Sequence, residues 1–212
     1  MNGGYIAIRS LTDRLAAGVL LALFSPLFAV ISVAVFIKMG RPIIFRQERV
    51  GRGGRVFHIV KFRTMVPKAE TLGGGYMPPD LNLVPPLGAL LRRTSLDELP
   101  QLLNIVRGEM SFVGPRPALV EQYRRYTPEQ ADRVTVPQGV TGLAQMRFRH
   151  NAPWSQRIEA DLEYVHKVGF LLDLSIVLET VGRVIRADGV RLDQVANDVD
   201  DLPRGQREGE TL

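Results

Sequence analysis

The stretch LAAGVLLALFSPLFAVISVAVFI, Leu15–Ile37, carries no charged residue and decides how the chain is organised. A straight helix of this length would cross the hydrocarbon core of a bilayer, because each helical residue adds about 1.5 Å. Pro26 interrupts the stretch near its middle, where it removes a backbone donor and its ring collides with the carbonyl of Ala22. The stretch therefore predicts contact with a membrane through a helix that is bent or broken at Ser25-Pro26.

The residues on both sides of this stretch are basic. On its amino-terminal side lie Arg9 and Arg14 with the acid Asp13. Residues 38–63, which follow it, hold one acid, Glu48, and a run of cations: Lys38, Arg41, Arg46, Arg49, Arg52, Arg55, Lys61 and Arg63. Because basic flanks stay in the cytoplasm, residues 1–40 are expected to enter the membrane, turn, and leave by the same face. A kinked helix that spans the membrane once is the alternative.

The composition narrows the chemistry that the chain can perform. The 212 residues include no cysteine, which excludes disulfides, thiolate metal sites and a cysteine nucleophile. The histidines His58, His150 and His166 are scattered and form no zinc pattern. A formal net charge of +5 favours a negatively charged partner, which could be nucleic acid, an anionic membrane surface or a phosphorylated substrate.

Downstream of the apolar stretch, the sequence predicts a small domain of mixed structure. Ile43–Val50 and Val56–Phe62 are rich in β-branched and aromatic residues and flank several glycines, which predicts a β-hairpin. Helices are expected over Leu87–Arg93, Pro100–Val106, Glu121–Arg133 with a break at Thr127-Pro128, Trp154–Val168 and Phe170–Ile185. The predicted fold is α+β and mostly helical. A membrane-embedded helix-break-helix occupies residues 1–40, a cytoplasmic domain with the hairpin and amphipathic helices residues 41–188, and a polar, loose tail residues 189–212.

Two adjacent acids, Asp97 and Glu98, lie in the motif SLDELPQ, residues 95–101. A capping box between Ser95 and Glu98 would explain them as an ordinary helix start. Pro100 argues against it, because a proline inside a helix loses a hydrogen bond, whereas a proline at the helix start loses none. We therefore expect a helix to begin near Leu99-Pro100 with both acids at its entrance. Neighbouring arginines or a divalent cation such as Mg²⁺ would balance their charge.

Further motifs place basic residues next to glycines and prolines. They are FHIVKFRTM (57–65), SFVGPRP (111–117), GVTGLAQ (139–145) and RHNAPW (149–154). Arg116 lies between Pro115 and Pro117, and their stiff backbone would aim its guanidinium for bidentate capture of a phosphate. A solvated surface arginine would need no such frame.

With these motifs the sequence resembles the bacterial sugar transferases, or monotopic phosphoglycosyl transferases, from about Arg9 to Ile185. The matching motifs are the apolar segment with a central Ser-Pro, KFRTM (61–65), RRTSLDELPQLLNIVRGEMSFVGPRP (92–117), and GVTGLAQ followed by Arg149, Asn151 and Trp154. The resemblance implies a re-entrant helix-break-helix in one leaflet. It also implies transfer of a sugar phosphate from a UDP-sugar to polyprenyl (undecaprenyl) phosphate with Mg²⁺, which initiates membrane-bound glycan assembly such as that of exopolysaccharide.

The resemblance carries roles to individual residues. The acid pair of the family falls on Asp97 and Glu98, with Asp97 as the nucleophile that forms a covalent aspartyl phosphosugar and both carboxylates as the expected magnesium ligands. The expected phosphate-binding residues are Lys61, Arg63, Arg92, Arg116 and Arg149. One departure is Phe148-Arg149-His150, where the family pattern has Gly-Arg-Asn, so the local loop differs here.

The resemblance also implies partners and a location. The expected partners are a UDP-sugar, polyprenyl phosphate and membrane lipids, without nucleic acid, and a homodimer is left open. The catalytic domain is expected on the cytoplasmic face of a bacterial inner membrane. Two other classes stay open: a membrane phosphohydrolase that uses Asp97 with water as acceptor, and a basic membrane-anchored binding protein. The binding protein would give no reason for the acid pair or for Pro-Arg-Pro.

Overall fold

The computed structural model describes residues 3–67, 83–148, 152–185 and 201–202. Two helices come first, α1 (Gly3–Leu23) and α2 (Ser25–Met39), and they are bent by 64° relative to each other. Within the described residues no single helix has the length and apolar character needed to cross a bilayer. The bent pair taken together meets that requirement.

The break between α1 and α2 is stabilised by the serine that precedes the proline. The ring of Pro26 deprives the carbonyl of Ala22 of its helical partner, and the hydroxyl of Ser25 donates to that carbonyl over 2.8 Å. Helical bonding then resumes, since the amide of Phe28 donates to the carbonyl of Phe24 over 2.9 Å. The Ser-Pro pair therefore bends the chain and satisfies the carbonyl that it frees, as an apolar surrounding requires.

An antiparallel hairpin follows, formed by β1 (Ile44–Val50) and β2 (Val56–Phe62) with a turn at Arg52–Gly54. The two glycines that end this turn have φ of 68° and 80°, a left-handed conformation that other residues rarely adopt. The predicted hairpin is confirmed to within one residue. Lys61 pairs across the hairpin with Phe45, and Arg49 lies four residues after Phe45 on the same strand. Because side chains alternate between the two faces of a strand, Lys61 and Arg49 lie on the same face.

The rest of the domain consists of short helices and a second pair of strands. The helices are α3 (Pro86–Arg93), α4 (Gln101–Arg107), α5 (Val120–Tyr123), α6 (Pro128–Ala131), α7 (Leu143–Phe148), α8 (Trp154–Lys167) and α9 (Phe170–Ile185). Strands β3 (Ser111–Val113) and β4 (Gly139–Thr141) pair in parallel. The mostly helical fold with a hairpin is confirmed. The expected polar helix is present as α5 and α6 on either side of the predicted break, whereas β3, β4 and α7 are not among the predicted elements.

Both amino-terminal helices bury one side against the domain. Ala17 of α1 is fully buried in a cluster with Leu102 and Ile105 of α4. Val35 of α2 is fully buried in a cluster with Phe62 of β2. The opposite sides expose apolar side chains along the whole pair: Ile8, Leu11, Leu15, Val19, Leu23, Val30, Val33, Phe36 and Ile37. The pair therefore has a domain-facing side and a continuous apolar outer side.

Buried polar bonds fix the amino-terminal part of α1 to the last two helices. Arg9 donates to the hydroxyl of Tyr164 over 2.5 Å and to the carboxylate of Asp173 over 2.7 Å. The hydroxyl of Tyr5 donates to the same carboxylate over 2.6 Å. The beginning of α1 therefore lies against the same domain as α2.

α9 is buried along one side only. Ile176 is fully buried, whereas Leu171 and Leu178 are 79% and 63% exposed. The apolar repeat of this helix therefore packs into the core along one side only. The other side exposes a row of apolar side chains, as a helix that lies along a membrane surface does.

Two residues of the predicted loose tail are packed against the domain, while residues 186–200 and 203–212 lie outside the described residues. Asp201 accepts bonds from the amide and hydroxyl of Ser155, at 3.0 and 2.5 Å. Leu202 is buried in a cluster with Tyr126 and Ile158. The tail therefore departs from the prediction at these two residues. The prediction rested on the average polarity of the segment, which a single apolar side chain hardly changes.

Candidate active site

A short turn between α3 and α4 carries the acid pair. Ser95 has a φ of 57°, unusual for a residue other than glycine, and the chain then forms a 3₁₀ turn over Leu96–Glu98. The side chain of Ser95 does not cap this turn, so the capping box with Glu98 is not formed. Pro100 immediately precedes α4. The predicted helix start at the proline, with both acids at its entrance, is therefore confirmed.

Glu98 is held by two cations from distant parts of the chain. Its Oε1 accepts a bond from Nζ of Lys61 over 2.6 Å and from the guanidinium of Arg116 over 2.8 Å. Burial by itself would raise the pKa of Glu98, but the charges of Arg116 and Lys61 hold it well below its ordinary value. Glu98 is therefore ionised at neutral pH and fixes both cations beside the turn.

Asp97 differs from its neighbour, because its carboxylate accepts no hydrogen bond from the described residues. The residue is only 8% exposed. Burial and the adjacent charge of Glu98 raise the pKa of Asp97 to about 6, against the opposing charges of Lys61, Arg92 and Arg116. Asp97 is thus ionised at neutral pH without being paired, which suits a group that must form a new bond.

Two further arginines lie near the acids. Nε of Arg92 donates to the hydroxyl of Thr64 over 2.9 Å, and its charge acts on Asp97. Arg49, on β1, donates to the carbonyl of Pro117 over 3.1 Å. Burial, together with the charge of Arg116, lowers the pKa of Arg49 to about 10, so Arg49 stays charged at neutral pH. Sequence reasoning missed Arg49 at this site, although its place on the same hairpin face as Lys61 is a usable signal.

The Pro115-Arg116-Pro117 loop is held by its carbonyl groups, since its prolines have no N–H to donate. Successive carbonyls accept bonds as follows: Pro115 from the amide of Gly139 (2.9 Å), Arg116 from the guanidinium of Arg133 (2.9 Å), Pro117 from that of Arg49 (3.1 Å), and Ala118 from the amide of Val50 (3.0 Å). The backbone of the loop is therefore fixed from outside, which leaves the side chain of Arg116 to bind Glu98.

Glycines let the backbone segments around this loop approach closely. A Cβ at Gly114 would lie 2.3 Å from the carbonyl oxygen of Pro137. A Cβ at Gly139 would lie 2.2 Å from the amide nitrogen of Gly114, and a Cβ at Gly142 would lie 2.1 Å from the carbonyl oxygen of Gly114. No side chain fits at these contacts. The motifs SFVGPRP and GVTGLAQ carry glycines at Gly114, Gly139 and Gly142 because their backbones pack on each other, and this contact orients the Pro-Arg-Pro loop.

Arg63 lies apart from the acid pair. Its guanidinium donates to the carbonyl groups of Arg41 (2.7 Å) and Gly40 (2.9 Å), and also to that of Met39. These bonds fasten the end of α2 to the domain, so this arrangement brings Arg63 to the helix terminus and not to the other predicted phosphate binders. Arg149 lies outside the described residues, so its role stays a prediction.

The acids offer free oxygen atoms to a cation. In the described part of the chain, no group of three or more His, Cys, Asp or Glu could hold a metal ion by itself. Mg²⁺, however, is commonly bound by one or two carboxylates together with substrate phosphates. Asp97 offers its unpaired carboxylate, and Glu98 offers Oε2, since its Oε1 is taken by Lys61 and Arg116. This donor set fits a magnesium ion shared with a bound phosphate.

An unpaired carboxylate among buried cations, at the start of a helix, is an arrangement typical of an active site that binds an anionic substrate. Comparison with known proteins gives the particular class. The chain belongs to the bacterial sugar transferase family, whose model matches residues 4–187.

The relatives agree with this assignment. The chain is 39% identical over 184 residues to the uncharacterized sugar transferase EpsL of Bacillus subtilis, which covers 87% of this chain and 90% of that protein. It is 40% identical over 184 residues to a UDP-glucose:undecaprenyl-phosphate glucose-1-phosphate transferase of Caulobacter vibrioides, with 83% of this chain and 69% of that protein covered. It is 37% identical over 201 residues to the exopolysaccharide production protein ExoY of Rhizobium meliloti, covering 88% of each. The family resemblance and the prediction of a transferase are confirmed.

Proposed function

We propose that the protein transfers a sugar 1-phosphate from a nucleotide diphosphate sugar, specifically a UDP-sugar, to polyprenyl phosphate, and so begins the assembly of a membrane-bound glycan. The Caulobacter relative is named for this reaction with UDP-glucose and undecaprenyl phosphate, and the Rhizobium relative is named for exopolysaccharide production. The observation that carries the proposal is the unpaired carboxylate of Asp97 beside the paired carboxylate of Glu98.

The reaction proceeds in two displacements at phosphorus. A carboxylate oxygen of Asp97 attacks the phosphorus that bears the sugar, a new P–O bond forms, and the bond to the nucleoside monophosphate breaks, so that UMP leaves with its electron pair. An oxygen of polyprenyl phosphate then attacks the same phosphorus, breaks the acyl phosphate bond and restores the carboxylate. A direct reaction would bring two anionic substrates into contact, whereas the covalent route handles one phosphate donor at a time.

The charges around Asp97 support a diphosphate substrate. Lys61, Arg49, Arg92 and Arg116 oppose Asp97 and Glu98, which leaves a formal excess of two positive charges. A diphosphate diester carries about −2 at neutral pH, so substrate binding balances the cluster. Arg116 and Lys61 are each half-buried beside Glu98 with donors left over, and they bind the phosphoryl oxygens as charge develops on them.

Magnesium is part of the proposal. The unpaired carboxylate of Asp97 and Oε2 of Glu98 would hold it together with the substrate diphosphate. When bound, the ion polarises the phosphoryl oxygens and stabilises their charge in the displacement. Because Glu98 keeps Oε1 for Lys61 and Arg116, it links the metal site to the cations.

We also propose that α1 and α2 form a re-entrant pair in the cytoplasmic leaflet of a bacterial inner membrane, with the catalytic domain in the cytoplasm. Support comes from both ends of the pair: Arg9 of α1 binds Asp173, and Arg63 binds the carbonyls that end α2. Since both ends bind one domain, a single face of the membrane accommodates them. The apolar outer side of the pair would meet the lipid tails, and the basic residues that follow it would attract anionic head groups.

The test of the reaction is a panel of UDP-sugars incubated with the purified protein, with and without polyprenyl phosphate. A transferase releases one equivalent of UMP per enzyme without the acceptor and turns over only with it. A phosphohydrolase would release UMP continuously to water, and a binding protein would release none. Either of the latter results would refute the proposed reaction.

The nucleophile is tested by Asp97→Asn, which is expected to abolish the single equivalent of UMP and the sugar phosphate attached to the protein. Glu121→Gln is the matched control, because it removes one negative charge from an exposed position on α5. Normal turnover of the Asp97 variant would refute the covalent route. For the membrane topology, a cysteine introduced at Gly3 should resist a membrane-impermeant reagent applied from the periplasmic side.

A further inference from the structure

A buried Arg–Tyr–Asp triad lies behind the Pro115-Arg116-Pro117 loop. It consists of Arg133, in the turn after α6, Tyr126, between α5 and α6, and Asp161, on α8. Their exposures are 1%, 0% and 1%, so all three side chains are removed from solvent. None of them carries a role in the reaction described above.

Arg133 connects this triad to the loop. Its Nη1 donates to the hydroxyl of Tyr126 over 2.5 Å, and its Nη2 donates both to the carboxylate of Asp161 and, over 2.9 Å, to the carbonyl of Arg116. Burying an ion pair costs much of what its attraction returns, and well-packed apolar side chains would stabilise a core as well. The bond to the carbonyl of Arg116 is a contact that an apolar side chain could not make.

We infer that Arg133, oriented by Tyr126 and Asp161, is a positioning residue that fixes the backbone of Arg116 and thereby the aim of its guanidinium at Glu98 and the substrate phosphate. The inference rests on the proposed function. The prolines on both sides limit rotation of the backbone, so a carbonyl held at one point determines where the side chain starts. A small displacement at this point moves a phosphate-binding group out of alignment.

The protein contains a second triad of the same composition, which serves as an internal control. Arg9, Tyr164 and Asp173 are also buried, and Arg9 donates to both partners. This triad joins α1 to α8 and α9 and makes no bond to the Pro-Arg-Pro loop. Removal of one tyrosine hydroxyl from either triad is therefore a comparable structural change with a different expected effect on the reaction.

The experiment compares Tyr126→Phe with Tyr164→Phe by the rate of the UMP burst from a subsaturating UDP-sugar without polyprenyl phosphate. This half-reaction does not depend on the lipid substrate. Tyr126→Phe should slow the burst about tenfold, because misplaced binding groups lose rate steeply, while Tyr164→Phe should change it less than about twofold. Melting temperatures should fall in both variants. Equal burst rates in the two variants would overturn the inference.

A second measurement separates positioning from general destabilisation. If Tyr126 acts through Arg116, Tyr126→Phe should cause little further loss in an Arg116→Lys background, because the residue whose aim it sets is already changed. A further loss of about tenfold there, as independent effects predict, would show that the hydroxyl acts elsewhere and would refute the positioning role. Absence of any burst in the unchanged protein would instead refute the proposed function.

Discussion

Asp97→Asn is expected to stabilise the fold while it abolishes the reaction. Burial raises the pKa of Asp97 from 3.8 to about 6, so the folded protein binds this proton more tightly than the unfolded chain does. The contribution of this group to stability is therefore full below the unfolded pKa and is lost as the pH rises through about 6. A pKa shift of this size corresponds to about 3 kcal/mol. At higher pH the ionised carboxylate lowers the stability of the fold by this amount, whereas a neutral asparagine does not.

The assay is thermal or denaturant unfolding of both proteins in metal-free buffer at several pH values. At pH 8 the asparagine variant should be more stable by roughly 2–3 kcal/mol, or about 5–10 °C in melting temperature for a chain of this length. The difference should shrink as the pH falls below 6. Glu121→Gln again serves as the control for the loss of one negative charge, and it should show no such pH-dependent gain.

An asparagine variant less stable than the unchanged protein at pH 8 would refute this reasoning. So would a difference that does not vary with pH. Either result would mean that the carboxylate of Asp97 is stabilised in the fold, as an ordinary capping residue would be. The unpaired state of Asp97, on which the proposed nucleophilic role depends, would then have no energetic basis.

Three other substitutions test how the site is held. Arg63→Met should lower the unfolding free energy by about 2–4 kcal/mol, because buried carbonyls lose their donor. The UMP burst rate of the folded protein should not change. A raised KM for the UDP-sugar would instead show that Arg63 binds the substrate phosphate. Gly88→Ala should lower the unfolding free energy by about 1–3 kcal/mol, because the new Cβ would lie 2.0 Å from the carbonyl oxygen of Thr64. Gly18→Ala is the control and should not destabilise the protein, because a Cβ there would have no atom within 4 Å. Ser25→Ala should reduce stability by about 1 kcal/mol in lipid, measured by unfolding in bicelles, since the carbonyl freed by the proline loses its donor.

Local signals predicted much of the fold. The hairpin follows from β-branched residues around a glycine turn, and the start of α4 follows from Pro100, because both depend on residues near in sequence. β3 and β4 could not be predicted in this way. Each has three residues, too few to show alternation, and they pair across more than twenty intervening residues through glycine contacts.

The site shows the same division between local and distant determinants. The acid pair and Arg116 could be recognised from their own motifs. The difference between Lys61 and Arg63 could not, although they are two residues apart, because one meets Glu98 and the other meets the end of α2. The part played by Arg133 likewise depends on a carbonyl 17 residues earlier in the chain. Sequence identifies the residue types, and tertiary contact decides which of them reach the acids.

The adjacent positions of Asp97 and Glu98 raise the question of why neighbouring acids behave differently. In a 3₁₀ turn, successive side chains diverge by about 120° around the axis, so the two carboxylates point in different directions. Glu98 meets Lys61 and Arg116, which fixes its charge, and that fixed charge in turn raises the pKa of Asp97. Because the charge of Glu98 raises the pKa of Asp97 while the neighbouring cations lower it, Glu98→Gln should lower the pKa of Asp97 as long as Lys61 and Arg116 stay beside the turn. A carbodiimide modifies protonated carboxyl groups, so the pH above which its reaction with Asp97 falls off should move to lower values in this variant. An unchanged pH dependence would show that the two acids titrate independently.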